Sequence, residues 1–374
     1  MGSSSILPLA KSKGSASSIS AHARQTRVMV VDDSLIIRTV LARIIGQQPD
    51  LEVVSKSSSA ELALKELAKI EVDVILLDLE MPGMGGLDAL PKILTSAPKA
   101  QVLVVSSLTE DGAEHTLQAL SMGAADTLAK PRAGEFGADY NNRLVEKIRA
   151  LGHSQSRGND RSESAGTPNI KPRRENLAKE KPEVLAIGAS TGGIHAMCAM
   201  LAKLPRQFDL PILVTQHLPG SFMQVFAKQL ELAASRTAVV AENGMIIQPR
   251  TVYIAPGGGH LTVEKRGSNL VVKIIDGKAP SGCMPSVDPM LESLAAATAG
   301  KAIAVILSGM GRDGAIGAEK LGRTGGTILA QDQDSSAVWG MPRAVAEQGL
   351  ASAILPPADL ALAIMSTAGA AAWK

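Results

Sequence analysis

The stretch Val28-Met29-Val30-Val31-Asp32-Asp33-Ser34 decides the fold of the first half of the chain. Its apolar run ends abruptly at two carboxylates, which predicts a short buried strand that delivers Asp32 and Asp33 to one edge of a sheet. Ser34 is a favoured helix N-cap, and the apolar residues that follow it recur with a helical period. A strand joined directly to a capped helix is the repeating unit of a parallel α/β sheet.

The same alternation of strand and helix continues to about residue 151. We expect strands at residues 28–31, 51–54, 72–77, 102–105 and 126–129, each followed by a helix. Crossover connections between parallel strands are right-handed, so five such pairs predict a doubly wound, flavodoxin-like sheet of five parallel strands.

A second alternation begins at residues 184–193, Val-Leu-Ala-Ile-Gly-Ala-Ser-Thr-Gly-Gly. Buried strands are expected at 184–187, 211–215, 302–307 and 327–329, with a closing helix over 359–372. The runs 251–254, 260–263 and 270–275 are separated by turn residues and indicate an antiparallel meander. The second half is therefore predicted to be another doubly wound α/β domain, of the hydrolase type, with an antiparallel accessory hairpin.

Composition favours two globular domains with a polar connection. The 374 residues exceed one ordinary core, and 45% hydrophobic with 20% charged residues is typical of soluble globular proteins. We predict a disordered tail over residues 1–26, a first domain over 27–151, a flexible linker over 152–182 and a second domain over 183–374.

Several classes of function are disfavoured by the same numbers. A net charge of +2 and only four Phe, two Tyr and two Trp leave neither a basic face nor stacking platforms, so no nucleic-acid partner is expected. No apolar run approaches the roughly 18 residues of a membrane span, so no membrane insertion is expected. Cys198 and Cys283 show no metal-ligand or redox spacing, which predicts ordinary thiols in a reducing cytoplasm.

Five polar residues of the first half each follow a predicted strand: Asp32 and Asp33, Asp78, Ser106, and Lys130. Ligands of open parallel sheets gather at the carboxyl ends of the strands. Carboxylates suit Mg²⁺, and the metal with Lys130 would neutralise a phosphoryl group on one carboxylate. We therefore predict a magnesium-dependent phosphoacceptor pocket.

This region resembles the receiver domain of bacterial response regulators. The resemblance covers roughly residues 26–150 and is carried by VMVVDDS, VILLDLEMPGMGGLDAL, VLVVSS and TLAKPR. It implies that Asp78 is the phosphorylated residue and that Asp32, Asp33 and Asp78 hold Mg²⁺. It also implies that Ser106 is the switch hydroxyl and that Lys130 contacts the phosphate.

The segment Gly188-Ala189-Ser190-Thr191-Gly192 admits three interpretations. A phosphate-binding P-loop requires a lysine after its glycines, and none is present. A dinucleotide fingerprint requires another glycine spacing, although Asp209 lies at about the right distance for its acidic partner. The third interpretation is a nucleophile elbow, in which Ser190 stands on a sharp turn between strand and helix.

A serine nucleophile needs a base and an orienting acid, and the second half offers His195, His217, His260, Asp288 and Asp313. His195 is on the same helix as the serine and is expected to be a surface or packing residue. His260 lies in a Gly-rich turn and is expected to face solvent. His217 and Asp313 each follow a predicted strand, as Ser190 does, so we prefer Ser190, His217 and Asp313 over the rival acid Asp288.

The second half also resembles a known family, the catalytic domain of chemotaxis protein-glutamate methylesterases. The matching segments are GASTGG, TQHLPG, VYIAPGGGH, PSVD, ILSGMGRDGA and GMPR. The resemblance implies Ser190 as nucleophile, His217 as base and Asp313 as its partner. The amides of Thr191, Met310 and Gly311 are candidates for holding the oxyanion.

The resemblance also implies a substrate and partners. The substrates would be γ-glutamyl methyl esters on the cytoplasmic domains of chemoreceptors, which the protein would hydrolyse, often together with deamidation of receptor glutamines. The other partner would be a chemotaxis histidine kinase, which would phosphorylate the protein. One departure stands at Cys283-Met284, where the family commonly has basic residues.

Our hypothesis is that the first domain covers the Ser190 site until Asp78 is phosphorylated. Two alternatives remain open at this point. The second domain could bind a partner without catalysis, or bind a nucleotide cofactor at residues 188–193. Methanol release distinguishes the first alternative, and a nucleotide-induced thermal shift distinguishes the second.

Overall fold

The computed structural model describes residues 24–106, 110–130, 137–159 and 181–369. These residues form two parallel sheets and one antiparallel hairpin. Residues 1–23 of the predicted tail over 1–26 and residues 160–180 of the predicted linker over 152–182 lie outside the described residues, and Thr26 already begins the first strand. Residues 152–159, which we assigned to the linker, continue a helix.

The N-terminal domain contains a parallel sheet of five strands in the order β2-β1-β3-β4-β5, as the strand–helix alternation predicted. The strands are β1 (Thr26–Val31), β2 (Leu51–Ser57), β3 (Val74–Asp78), β4 (Gln101–Ser106) and β5 (Asp126–Ala129), and the helices are α1 (Leu35–Gly46), α2 (Ala60–Leu67), α3 (Gly86–Ser96), α4 (Glu110–Ser121) and α5 (Ala138–Asn159). Helices cover both faces, so the central strand β3 is buried at every residue. Ser34 caps α1 as expected, since its hydroxyl accepts the amide N–H of Ile37.

The C-terminal domain contains seven parallel strands in the order β14-β13-β12-β6-β7-β9-β8, with a separate hairpin β10-β11. The strands are β6 (Val184–Ala189), β7 (Ile212–Gln216), β8 (Ala238–Val240), β9 (Val252–Ile254), β10 (His260–Arg266), β11 (Asn269–Ile275), β12 (Ala302–Ile306), β13 (Thr327–Gln331) and β14 (Ala353–Leu355), and the helices are α6 (Gly193–Leu201), α7 (Met223–Ala234), α8 (Val287–Thr298), α9 (Ala315–Arg323), α10 (Met341–Glu347) and α11 (Pro357–Thr367). The predicted doubly wound sheet with an accessory hairpin is confirmed.

One part of the predicted meander is wrong. Residues 252–254 form β9, which pairs in parallel with β7 on one side and β8 on the other. The antiparallel hairpin consists of β10 and β11, and an isolated antiparallel bridge joins Ile246 to Val271. The three residues of β9 are buried on both faces, so they show none of the alternation that would separate the two kinds of strand. The three-residue strands β8 and β14 are largely only half-buried, and they are too short to show a recognisable pattern.

The two domains pack against each other through helix α4. This helix contacts α6 and α7 of the C-terminal domain, and buried side chains from both domains form one continuous apolar cluster. The contact therefore lies next to the turn between β6 and α6, which carries Ser190. In the described part of the chain, no helix is both long and apolar enough to cross a membrane.

Candidate active site and phosphoacceptor site

Ser190 lies on a tight turn between β6 and α6. The turn closes through Gly192, whose φ of 75° lies in the left-handed region that glycine tolerates, and α6 begins at the next residue. The loop after β12 approaches closely, because a Cβ on Gly309 would lie only 2.8 Å from the Cβ of Ser190. This is the strand–turn–helix context that a nucleophile elbow requires.

The structure brings His217 and Asp313 together at the same edge of the sheet. His217 directly follows β7, Asp313 lies in the loop after β12, and both strands flank β6. The imidazole Nε2 is 2.8 Å from the carboxylate Oδ2 of Asp313. Strand order therefore places an acid, an imidazole and a serine at three adjacent strand ends, which is the arrangement expected from sequence.

Four donors besides His217 hold the Asp313 carboxylate. The Ser286 hydroxyl donates to it at 2.6 Å, and the amides of Val287, Asp288 and Gly314 donate at 2.7, 3.3 and 3.0 Å. Burial opposes ionisation of Asp313, but these hydrogen bonds outweigh it and lower its pKa to about 2. The carboxylate is therefore anionic and fixed in orientation across the physiological pH range.

The imidazole of His217 takes up a proton more readily than a free histidine. Burial disfavours its charged form, but the hydrogen bond to Asp313 and a contact with Cys283 outweigh burial and raise its pKa to about 9. A strong base next to a fixed carboxylate can accept a proton from a hydroxyl.

The rival partners occupy other positions. His195 places Nδ1 2.9 Å from the carbonyl oxygen of Ser121 in the N-terminal domain. Asp288 accepts the amide N–H of Gly317 at 2.8 Å, and burial raises its pKa to about 6.

The expectation that His260 faces solvent is wrong, since it is only 2% exposed. Its Nδ1 accepts the amide N–H of Ser286 at 3.0 Å, so its Nε2 carries the proton and donates to the carbonyl of Gly277. The hairpin start thereby packs against the segment that holds Asp313. His260 supports Ser286, which lies two residues before the rival acid Asp288 and whose role the sequence does not indicate.

The predicted oxyanion donors lie on both sides of Ser190. Within the residues that the structure describes, no acceptor is paired with the backbone amide of Thr191, Met310 or Gly311. The amide of Ser190 itself is used, since it donates to the carbonyl of Ser308 at 3.0 Å. The three predicted amides are therefore available, and their assignment stays a prediction.

The acidic residues of the N-terminal domain also converge. Carboxylate oxygens of Asp32, Asp33 and Asp78 lie within 4.8 Å of one another, and Lys130 Nζ is 2.5 Å from Asp78 Oδ2. Burial raises the pKa of Asp78 to about 6 even though Lys130 opposes the shift. Asp32 Oδ2 is buried without a hydrogen bond, and Lys130 Nζ approaches it only to 3.6 Å. A buried carboxylate oxygen that still needs a partner, beside two further carboxylates, fits Mg²⁺.

Ser106 connects the acidic pocket to α4. Its hydroxyl is 2.6 Å from that of Thr116, and both side chains are buried. Thr116 donates its own hydrogen to the carbonyl of Gly112 at 2.6 Å, so Ser106 is the donor in the shared bond. The sequence indicates Ser106 as a functional residue but not Thr116, because Thr116 lies in the middle of a helix and belongs to no motif.

The N-terminal domain contacts the residues that follow Ser190. The carbonyl of Ala125 accepts the amide N–H of Gly192 at 2.5 Å, and the carboxylate of Asp126 accepts the Thr191 hydroxyl at 2.5 Å. Lys147 also pairs with Asp126. The start of β5 thus lies against the candidate nucleophile turn.

Comparisons with known proteins identify the family of each domain. The sequence profile of the CheB methylesterase family matches residues 185–364, and that of the response regulator receiver domain matches residues 28–136. A "Protein-glutamate methylesterase/protein-glutamine glutaminase 1" of Rhodospirillum rubrum is 37% identical, with 91% of this chain and 95% of that protein covered. A "Protein-glutamate methylesterase/protein-glutamine glutaminase 2" of Caulobacter vibrioides is 42% identical, with 88% and 95% covered.

Among solved structures, the catalytic domain of Thermotoga maritima CheB methylesterase is similar at 35% identity and a TM-score of 0.49, covering 50% of this chain and 99% of that one. The relatives that match across nearly their whole length carry the assignment of family. The chain belongs to the protein-glutamate methylesterase/protein-glutamine glutaminase family, with a response regulator receiver domain joined to a CheB methylesterase domain.

Proposed function

We propose that this protein is a phosphorylation-activated hydrolase of a two-component chemosensory pathway. It removes γ-methyl esters from glutamates of chemoreceptors with release of methanol, and it deamidates receptor glutamines. The observation that carries the proposal is the His217–Asp313 pair at the sheet edge that bears Ser190. The names of the relatives supply the substrate.

The chemistry follows from the positions of the three side chains. Ser190 attacks the ester carbonyl while His217 accepts the hydroxyl proton, and Asp313 stabilises the imidazolium that forms. The amides of Thr191, Met310 and Gly311 are the candidate donors that would stabilise the oxyanion. His217 then returns its proton to the departing methanol, and a water molecule hydrolyses the acyl-enzyme by the same route.

Phosphorylation at Asp78 supplies the switch. Bound Mg²⁺ would be held by Asp32, Asp33 and Asp78 and would offset the charge of the phosphoryl group. Lys130 gives the phosphoryl oxygens a second cationic contact, and Ser106 turns its hydroxyl toward them and away from Thr116. Because α4 packs against the methylesterase domain, this exchange loosens the contact that covers Ser190.

The proposed activity requires two protein partners in the cytoplasm. A chemotaxis histidine kinase donates the phosphoryl group, and the cytoplasmic domains of methyl-accepting chemoreceptors are the substrate. The protein therefore works in the cytoplasm.

Methanol release from methylated receptor, measured with and without a small phosphodonor and Mg²⁺, tests the proposal. Ser190→Ala is expected to abolish release, whereas Ser366→Ala, which removes an exposed hydroxyl on α11, should leave it unchanged. Asp78→Ala should abolish only the response to the phosphodonor. Release that persists in Ser190→Ala would reject the catalytic assignment, and a full phosphodonor response in Asp78→Ala would reject the switch.

A further inference from the structure

The thiol of Cys283 lies beside two members of the candidate active site. His217, Cys283 and Asp313 each offer one potential ligand atom, and these three atoms lie within 4.8 Å of one another. Residues 217, 283 and 313 are far apart in the sequence, so no spacing motif predicts the cluster. Cys283, which the sequence predicts to be an ordinary thiol, therefore has two further potential metal ligands beside it.

The ligand atoms in this cluster favour a divalent transition-metal ion. Imidazole nitrogen, thiolate sulfur and carboxylate oxygen are the ligands of four-coordinate Zn²⁺, with metal–ligand distances of about 2.0–2.3 Å. Tetrahedral ligands at such distances are separated by about 3.3–3.8 Å, so adjustment of the His217 and Cys283 side chains around the fixed Asp313 carboxylate brings the three atoms into place. A fourth position would remain for water or substrate.

We propose that His217, Cys283 and Asp313 form a binding site for a borderline-soft divalent transition ion such as Zn²⁺, and that the bound ion inhibits the hydrolase. Binding releases the thiol proton of Cys283 to solvent. In a metal-bound neutral imidazole one ring nitrogen gives its lone pair to the ion and the other carries the ring proton, so His217 has no lone pair left to accept the hydroxyl proton of Ser190. The binding itself does not depend on the proposed function, whereas the inhibition rests on the proposed role of His217 as base.

The chain thus carries two candidate ion sites of opposite chemical character. The receiver pocket offers the oxygens of Asp32, Asp33 and Asp78, which suit Mg²⁺. The cluster at Cys283 includes a thiol, which Mg²⁺ does not favour and Zn²⁺ does. Mg²⁺ needed for phosphorylation is therefore not expected to occupy the hydrolase site.

The approach to the cluster is separate from the receiver contact. Cys283 is partly exposed, and its neighbours Ser281, Gly282 and Met284 are exposed. The receiver instead touches the turn after Ser190 and helices α6 and α7. We therefore expect the ion to bind in both phosphorylation states.

The binding test uses the full chain, purified free of metal and titrated with Co²⁺ under a non-thiol reductant. Thiolate ligation gives a sulfur-to-cobalt charge-transfer band that oxygen ligands in the receiver pocket cannot produce. We expect one equivalent of Co²⁺ to produce the band, added Zn²⁺ to remove it, and Cys283→Ser to lack it. The matched control is Cys198→Ser, which removes a thiol on α6 whose pKa burial raises to about 11, and it should retain the band. A missing band in the wild-type chain, or an equal band in Cys283→Ser, would overturn the site.

The inhibition test measures methanol release at saturating Mg²⁺ and phosphodonor over a range of buffered Zn²⁺. Each variant is normalised to its own zinc-free rate. Cys283→Ser should need at least about tenfold more Zn²⁺ for half inhibition than the wild type or Cys198→Ser, because it lacks one metal ligand. A zinc-selective chelator should restore the rate. Equal sensitivity to Zn²⁺ in Cys283→Ser and the wild type would refute inhibition through this cluster. If the wild-type chain released no methanol at all, the proposed function would be refuted, and the cobalt titration alone would decide whether the ion site exists.

Discussion

Replacing Asp126 with alanine is expected to raise the hydrolytic rate of the unphosphorylated protein. Asp126 begins β5 of the receiver, its side chain is 14% exposed, and it accepts the hydroxyl of Thr191 at 2.5 Å. Thr191 is the residue after Ser190, so this bond holds the receiver over the proposed nucleophile. Its loss favours the open state, in which a receptor segment can reach Ser190.

The size of the effect follows from the type of bond. A hydrogen bond to a charged partner contributes about 1.5–3 kcal/mol, and each 1.4 kcal/mol changes an equilibrium about tenfold. The open fraction of the unphosphorylated protein should therefore increase by about 10–100-fold. The rate should increase by the same factor, up to the ceiling set by the fully phosphorylated wild type.

The assay is the initial rate of methanol release, with and without phosphodonor. The control is Asp50→Ala, which removes another receiver carboxylate, one that pairs with Arg149 within the receiver. We expect Asp126→Ala to raise only the unphosphorylated rate and Asp50→Ala to raise neither. An unchanged unphosphorylated rate in a folded Asp126→Ala protein would show that this bond does not keep the domains closed.

Three further predictions concern the hydrolase site. Ser286→Ala removes the 2.6 Å donor to Asp313 and should lower kcat about tenfold with little change in KM; a change confined to KM would contradict the positioning role. Gly309→Ala places a Cβ 2.8 Å from the Cβ of Ser190. This crowding should destabilise the protein by about 1–3 kcal/mol, measured as a lower Tm, and should reduce methanol release. A Tm and a rate like those of the wild type would show that the turn can adjust. His217 must be neutral to act as base and its pKa is about 9, so kcat/KM of the phosphorylated protein should rise with pH to an inflection near 9. A plateau already reached near pH 7 would contradict a raised pKa of the base.

Strand ends explain why much of both sites was predictable from sequence. Asp32 follows β1, Asp78 ends β3 and Lys130 follows β5, and the parallel strands of one sheet point their carboxyl ends to one edge. The same rule brought His217 and Asp313 to the edge that bears Ser190. For Asp32, Asp78, Lys130 and His217, an apolar run ending in a polar residue indicated both the strand and the position of the side chain, whereas Asp313 lies farther along the loop after β12.

The remaining residues could not be predicted because their partners depend on the packing of distant segments. Ser286 precedes α8, and only the packing of that helix against β10 and α9 brings its hydroxyl to Asp313. Asp126 gains Thr191 as a partner only when the two domains meet. Cys283 lies in an irregular loop, for which no period or cap predicts the direction of the side chain. Contacts of this kind can be identified only from the tertiary structure.

One helix links the two sites, and this connection gives the proposed switch a short physical path. Ser106 has a single hydroxyl hydrogen, which it donates to Thr116 on the inner face of α4. The hydrogen cannot also be donated to a phosphoryl oxygen on Asp78, so phosphorylation exchanges one bond for the other. The side of α4 that faces the methylesterase domain packs against α6 and α7 beside Ser190. A change at the phosphoacceptor therefore reaches the interdomain contact through one hydroxyl pair and one helix, and it acts by altering the population of closed molecules rather than the chemistry of the hydrolase residues.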